Sequence, residues 1–415
     1  MATRGQELKR FAPALALLVV AVLINYVDRG NLALAAPLIK TEWGLSATQL
    51  GVLFSAFFWT YMVLQFAIGH LVDRFSANIA LAAGFLIWSV ATALTGLAIG
   101  FVTLLVMRLM LGVGESVVFP ASSKICAEQI PEEARGIANS VIMAATRWGS
   151  ALGTFGGGML IAHYGWRKAF IAIGLVSLLW LPAWGKWRPT VPAKPATKQP
   201  EGPNSAAILR HRSFWGASMG HFCGNYIYYF LISWLPYYLV RERHLSLTTM
   251  VGTAGMLYSV DSASCLLAGW LADRSIKAGC SVGASRKWAM GLGFTLAAIG
   301  LAGCAAAGPH SYFFFLMCAA IGSGAGNAGN FTFGQTLAGA EAAGKWAGLQ
   351  NGFANLAGIA GPALTGFLVD RTGNFGLALA IAAGFMVVGG MSWVLVVGKV
   401  EPVQWAHECA DEVAG

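Results

Sequence analysis

Charge is scarce in this chain: 11% of its 415 residues are Asp, Glu, Lys or Arg, while 57% are hydrophobic. That composition leaves too little polar surface to coat a water-soluble fold of this size. Cysteine is sparse as well. The seven cysteines are scattered, mostly inside apolar stretches, with no metal or redox spacing, and read as small packing residues. A working nucleotide motif is also missing. Gly339-Ala340-Glu341-Ala342-Ala343-Gly344-Lys345 fits the first seven places of a phosphate loop, but Trp346 stands where Ser or Thr is required, and no strand precedes it. The segment reads as a tight helix start, and any work this chain does should draw on an ion gradient. No nucleophile–base pair, metal cluster or cofactor motif argues for an enzyme, and the expected cofactor set is empty.

What the chain has instead is apolar length. About 20 apolar residues cross a bilayer as a helix, and such segments are expected near 12–38, 47–73, 77–99, 101–126, 136–162, 166–186, 213–240, 247–272, 287–307, 310–337, 345–370 and 375–398. The expected fold is all-α and membrane-embedded, with twelve spans. The 52 glycines suit close packing between such helices. The net charge of +9 follows from placement and is no nucleic-acid signal. With the N-terminus inside, 18 of the 27 Lys and Arg fall in cytoplasmic segments, 6 in external loops and 3 inside spans, as the positive-inside rule asks. Both termini are therefore expected in the cytoplasm, and the protein in the cell (inner) membrane. A signal-peptide reading of the N-terminus, with Ala33-Leu34-Ala35-Ala36 as the cleavage region, fails because Asp28 and Arg29 interrupt the apolar run.

The Pro-, Lys- and polar-rich segment 187–212 reads as a cytoplasmic linker. It separates residues 1–186, a first six-helix bundle, from 213–415, a second bundle with a short tail. Each part repeats a signature. Gly69-His70-Leu71-Val72-Asp73-Arg74 closes the second span, and Gly269-Trp270-Leu271-Ala272-Asp273-Arg274 closes the eighth, 200 residues later. A weaker copy, Gly366-Phe367-Leu368-Val369-Asp370-Arg371, closes the eleventh, and Gly158-Met159-Leu160 lies near the end of the fifth. Nested repeats of this kind imply a midplane site between two pseudo-symmetric halves and a rocking exchange of access. The repeated motif, the 6+6 layout and the basic linker resemble the major facilitator superfamily over essentially the whole chain. The resemblance implies gating roles for Asp73, Arg74, Asp273 and Arg274. After Arg74 the chain reads Phe75-Ser76-Ala77-Asn78 and lacks the family's usual basic pair, whereas the second copy is followed by Lys277, Arg286 and Lys287. A weaker cytoplasmic latch is expected in the first half.

Six ionisable residues lie well inside spans: Asp28, Arg29, Arg108, Glu115, Arg147 and Asp261. A charge at the bilayer centre costs about 2.5–3.5 kcal/mol on insertion scales, so such residues default to function. The set is neutral when fully ionised, and protonating one acid leaves room for one carboxylate. Arg108 and Glu115 share a face of the fourth span, roughly 10 Å apart along its axis. Each needs a partner on another helix or a ligand, and a purely structural salt bridge is the alternative. Asp28 and Arg29 point about 100° apart. Asn25 and Tyr26 lie one turn before Arg29. A guanidinium matches a carboxylate bidentately, and exchanging an internal carboxylate for substrate would link protonation to binding.

The run Asn25-Tyr26-Val27-Asp28-Arg29, with Arg108-Leu109-Met110-Leu111-Gly112-Val113-Gly114-Glu115 and Phe119-Pro120-Ala121, is similar to the anion:cation symporter family. That family holds bacterial sugar-acid transporters, sialin and the vesicular glutamate transporters, and the galactonate-transporter type fits best. The resemblance implies that Arg29 grips a substrate carboxylate and that Asp28 and Glu115 carry protons. It also implies that Tyr26, Tyr61 and Arg108 belong to the site. Aligning the repeats adds three expectations: Tyr61 opposite Asp261, Arg147 opposite Asn355, and Glu115 opposite Ala325. Arg147 is expected at the cavity or in a structural pair, and Asp261 is a further proton-coupling candidate. In the second half, Asn225 and the neighbouring aromatics Tyr226, Tyr228 and Tyr229 suit sugar hydroxyls or packing alike. Asn351 and Asn355 share a face and need protein or cavity around them. His221 reads as a proton relay or a hydrogen-bonded interior histidine, and Pro236 as a kink near the outer gate.

The expected function is secondary active import of an organic anion, a sugar acid or related carboxylate, with protons, by a monomer in the bilayer with no nucleic-acid partner. Sodium coupling lacks an evident set of oxygen ligands. Two rival readings remain: a proton antiporter exporting amphiphilic molecules, which three buried arginines disfavour, and a polytopic membrane enzyme or sensor.

Overall fold

A computed structural model describes residues 2–74, 76–129, 132–188, 203–306, 308 and 311–405. In chain order its helices are α1 (Ala2–Trp43), α2 (Ala47–Arg74), α3 (Ala77–Thr95), α4 (Phe101–Glu115), α5 (Val118–Gln129) and α6 (Glu132–Leu152). A π-helical turn, Gly153–Gly157, follows, then α7 (Gly158–Tyr164), α8 (Trp166–Ser177), α9 (Trp180–Trp187), α10 (Ser205–Leu209) and α11 (Arg212–Arg241). The series ends with α12 (Leu247–Lys277), α13 (Val282–Ala306), α14 (Tyr312–Asn327), α15 (Asn330–Thr372), α16 (Gly376–Met391) and a second π turn, Ser392–Val396. The described residues form no strand. Eight of the described helical segments are long and apolar enough to cross a membrane. α11 and α12, at 30 and 31 residues, have the length with lower apolarity.

Several expected spans are broken, each for a local reason. The fourth divides at Glu115 because Pro120 has no N–H to offer the preceding turn. The chain passes through Ser116 and Val117 and resumes as α5. The fifth carries the π turn, an insertion that re-aims the residues after it. The tenth and eleventh fuse into α15 but fold back at Gly339, whose φ of 65° and ψ of 177° favour glycine. That turn opens the phosphate-loop-like run, so the tight helix start expected there is what forms. Within the linker, α10 is capped by Asn204 Oδ1, which accepts from Ala207 N at 2.8 Å.

The chain makes two compact units. The first holds the described residues up to 188 together with Tyr229–Ser259 and Gly358–Ala378; the second holds 203–228, Val260–Ala357 and the described residues from Leu379. One end of α11, α12 and α15 thus packs with the first six spans. Phe58 on α2 meets Tyr229 at 4.5 Å, and Phe54 meets Trp234 at 5.3 Å. Within the first unit, a glutamate at the end of a span ties down the start of another twice over. Glu42 accepts from Trp166 Nε1 at 2.8 Å and Arg167 at 2.7 Å, and Glu242 accepts from Phe375 N at 2.5 Å.

Glycines also mark the closest approaches between helices. A Cβ on Gly112 would lie 2.3 Å from the Phe57 carbonyl and 3.2 Å from Tyr61 N; one on Gly324 would lie 2.0 Å from the Asp261 carbonyl and 3.0 Å from Cys265 N. Both glycines thus let their helix pass close to a neighbouring backbone. α2 and α12 start alike, at Ala47 after Ser46 and at Leu247 after Ser246, with the same 200-residue offset as their closing motifs. Both Glu115 and Asn327 end their helices, α4 and α14.

Candidate functional site

The α1 residues Asn25, Tyr26, Asp28 and Arg29 face the broken end of α4 and the middle of α2. Arg29 Nε donates to Glu115 Oε2 at 2.7 Å, and the two side chains are 10% and 0% exposed. α4 ends at Glu115, whose carboxylate meets α1 at Arg29. Four rings crowd the guanidinium. Those of Tyr26, Tyr61 and Phe57 have centroids 4.7, 4.8 and 5.0 Å from Arg29 Cζ, and Tyr229 of α11 also faces it. Cation–π contacts of this kind, worth roughly 2 kcal/mol when desolvated, hold the charge in place without neutralising it.

Arg108 lies across the Phe57 ring, its Cζ 5.3 Å from the centroid, and donates to the Leu53 carbonyl at 3.4 Å. Phe57, fully buried and stacked on Tyr61 at 5.2 Å, touches both guanidinium groups. Asp28 is buried and faces Thr92 of α3, Glu115 and Arg108. Asn25 is buried beside Glu115. Among the described residues, both oxygens of Asp28, both amide atoms of Asn25, Arg29 Nη2 and Glu115 Oε1 make no hydrogen bond of ordinary geometry. Buried polar atoms are normally paired, so this cluster has donors and acceptors to offer a small polar ligand.

The structure thus brings together Tyr26, Asp28, Arg29, Tyr61, Arg108 and Glu115. The ion pair joins Arg29 to Glu115, so Glu115 has the partner on another helix that its place on α4 called for, while Asp28, adjacent to Arg29 in sequence, faces Glu115 and Arg108. Phe57 and Thr92 were missing from the expected site, and Tyr229, a sugar-or-packing candidate, faces Arg29. Phe57 lies one turn before Tyr61 on the same face, which was the available signal; a single Thr in an apolar helix gave none. The Arg147 side chain lies outside the described residues, as do the side chains of Asp73 and Arg74.

Asp261, Asn225, Asn351 and Asn355 fall in the second unit. Asp261 is buried and Asn225 half-buried. Asn355 Nδ2 donates to the Asn351 carbonyl at 2.9 Å, which commits one of its donors to its own helix. Arg274 stacks on Trp270 at 5.2 Å, and the exposed Asp273 faces Arg286. His221 is an interior hydrogen-bonded histidine. Gln350 Oε1 accepts from Trp346 Nε1 at 2.9 Å, so Gln350 Nε2 donates, 3.2 Å from His221 Nδ1. Asn327 at the end of α14 accepts from Asn330 Nδ2 at 2.8 Å. No group of His, Cys, Asp and Glu among the described residues suits a metal ion.

Comparison with known proteins agrees with this architecture. The family model described as the Major Facilitator Superfamily matches residues 18–285. The chain is 30% identical to a hexuronate transporter of Bacillus subtilis over 92% of its length and 93% of that protein's. It is 26% identical to a D-galactonate transporter of Escherichia coli O6:H1, covering 94% and 96% of the two chains. A solved bacterial homolog of the human lysosomal transporter Spinster, in an inward-facing and unoccupied conformation, superposes with a TM-score of 0.79 at 20% identity, covering 94% of this chain and 97% of that one.

Proposed function

The chain belongs to the Major Facilitator Superfamily, and from that premise we propose that it imports an organic anion, a sugar acid or related carboxylate, by proton symport with alternating access. The observation that carries the reading is the buried Arg29–Glu115 pair, whose Nη2 and Oε1 make no hydrogen bond of ordinary geometry. A carboxylate arriving at Nη2 competes with Glu115 for one guanidinium. Glu115 without its counter-charge in a buried site favours the neutral form. Substrate and proton therefore assist each other's binding, and return of Glu115 to Arg29 after proton loss expels the anion. Breaking such a pair without replacement costs about 3–5 kcal/mol, which discourages movement of a proton or substrate alone.

Asp28, between Glu115 and Arg108, is the second proton carrier in this reading. Tyr26, Tyr61 and Tyr229 line the guanidinium and supply hydroxyls for a polyhydroxylated substrate. Arg108 and Arg147 keep the site attractive to anions. Asn225, Asn351 and Asn355 contact the rest of the substrate, and Asp261 is a further proton site. The two Asp-Arg pairs at the ends of α2 and α12 gate the cytoplasmic side. The protein works as a monomer in the cell membrane with both termini in the cytoplasm. Transport by the named relatives, a hexuronate and a D-galactonate transporter, supports the substrate class. The deciding experiment is uptake of hexuronate and galactonate into proteoliposomes with an imposed pH gradient. Acid-outside accumulation that collapses with a protonophore is the expected result; gradient-independent equilibration would refute proton coupling.

A further inference from the structure

The third copy of the Gly-x-Leu-Val-Asp-Arg motif, Gly366 to Arg371, ends a span that runs in the direction opposite to those ended by the other two copies. It therefore lies at the other face of the membrane. There Asp370 reaches the start of α2. Its Oδ1 accepts from Ala47 N at 2.8 Å and its Oδ2 from Thr48 N at 2.6 Å. The first N–H groups of a helix have no partner within it, and a carboxylate at that end also meets the favourable side of the helix dipole. Charge-assisted bonds of this length are the strong ones.

α2 does not need Asp370 in order to begin. Ser46 and Gln49 already form a capping box: Ser46 N donates to Gln49 Oε1 at 2.9 Å, and Gln49 N donates to Ser46 Oγ at 3.1 Å. Asp370 takes only the two amides that the box leaves over. Around this contact the helices touch closely. A Cβ on Gly366 would lie 2.3 Å from the Ala47 carbonyl, and one on Gly51 would lie 2.5 Å from the Pro362 carbonyl. Trp234 of α11 donates to the same Pro362 carbonyl at 3.2 Å and packs edge-on against Phe54 of α2.

We propose that Asp370 is a releasable clasp, joining α15 of one repeat to the N-terminus of α2 in the other, and that it holds the pathway shut at this face. The clasp rests on the alternating-access reading above. Separation of α2 from α15 would leave α2 capped by its own box and return Asp370, already exposed, to water. That makes the contact strong when closed and reversible when opened. The third motif copy would thus lock the face opposite to the one gated by the first two.

The test is thiol labelling of purified protein carrying the reporter Phe54→Cys, read against the same protein without the reporter. Phe54 is 3% exposed in the closed arrangement. Asp370→Asn keeps the shape and removes the charge; it should raise the reporter's labelling rate about five- to tenfold by shifting the population toward the open form. Asp370→Glu, which keeps the charge on a longer stem, should give a smaller rise and serves alone if the Asn variant is not recovered folded. Unchanged labelling in the recovered variants would overturn the clasp. Labelling needs neither substrate nor protons. A wild-type protein that fails to take up any organic acid would therefore sink the proposed function and leave the clasp to be judged on its own result.

Discussion

Replacing Glu115 by Gln separates the coupling step from the binding step. Glutamine keeps the shape, and its amide oxygen still accepts from Arg29 Nε across the 2.7 Å contact, but the negative charge is gone. The guanidinium, 10% exposed and ringed by Tyr26, Phe57 and Tyr61, then holds an uncompensated charge. A buried ion left in this way costs about 3–5 kcal/mol, which an incoming carboxylate recovers. The variant should bind substrate at neutral pH at least as tightly as wild type and be stabilised more by it. Wild-type affinity should weaken by about tenfold per pH unit, once Glu115 is ionised, if one proton enters with each anion; the variant's profile should be flat. Each proton moved down one pH unit supplies about 1.4 kcal/mol, enough to sustain roughly tenfold accumulation. Wild type should reach that ratio or its square, for one proton or two, and Glu115→Gln should stop at unity while still exchanging internal for external substrate. Uptake and counterflow in the same proteoliposomes measure both quantities. Accumulation by Glu115→Gln under a proton gradient would refute the role given to Glu115. Loss of counterflow as well would return the pair to a structural role and move the argument to Asp261.

Arg29→Lys keeps the charge and loses the planar fork, so substrate affinity should fall at least tenfold, about 1.4 kcal/mol; near-normal affinity by calorimetry would remove Arg29 from the site. Asp28→Asn should impair uptake and counterflow together, because Asp28 faces both Glu115 and Arg108; full counterflow with lost accumulation would instead make it equivalent to Glu115. Arg147→Gln should change substrate affinity or its pH dependence, and unchanged values for both would place Arg147 outside the mechanism. Gly112→Ala puts a methyl group 2.3 Å from the Phe57 carbonyl and Thr60 Oγ1. Overpacking of this kind costs about 1–3 kcal/mol, so the melting temperature should drop and binding weaken as Phe57 and Tyr61 shift from Arg29; wild-type behaviour in both would show that α2 and α4 are not tightly registered.

The sequence by itself determined that the chain is helical and membrane-embedded, that its halves repeat, and that Asp28, Arg29, Arg108 and Glu115 sit inside spans. Hydropathy, helical period and the cost of a charge in lipid are local properties, and each can be read from a window of residues. The break at Glu115 was not expected: the sequence reads as one continuous span over 101–126, although Pro120 acts on the turn before it. Tertiary structure alone decided which acid meets which arginine. Arg29 and Glu115 are 86 residues apart, and their meeting depends on how α1 and α4 are rotated about their axes. One residue of register turns a helix by about 100°, and that register is set by contacts such as Gly112 against the Phe57 carbonyl. The same holds for Asn355, whose amide turns back to its own helix, for Tyr229, which α11 carries to Arg29, and for Asp370, whose motif looks like the others but closes on the start of α2. A motif names the residues a helix end presents; the packing of the neighbouring helix decides what they bind.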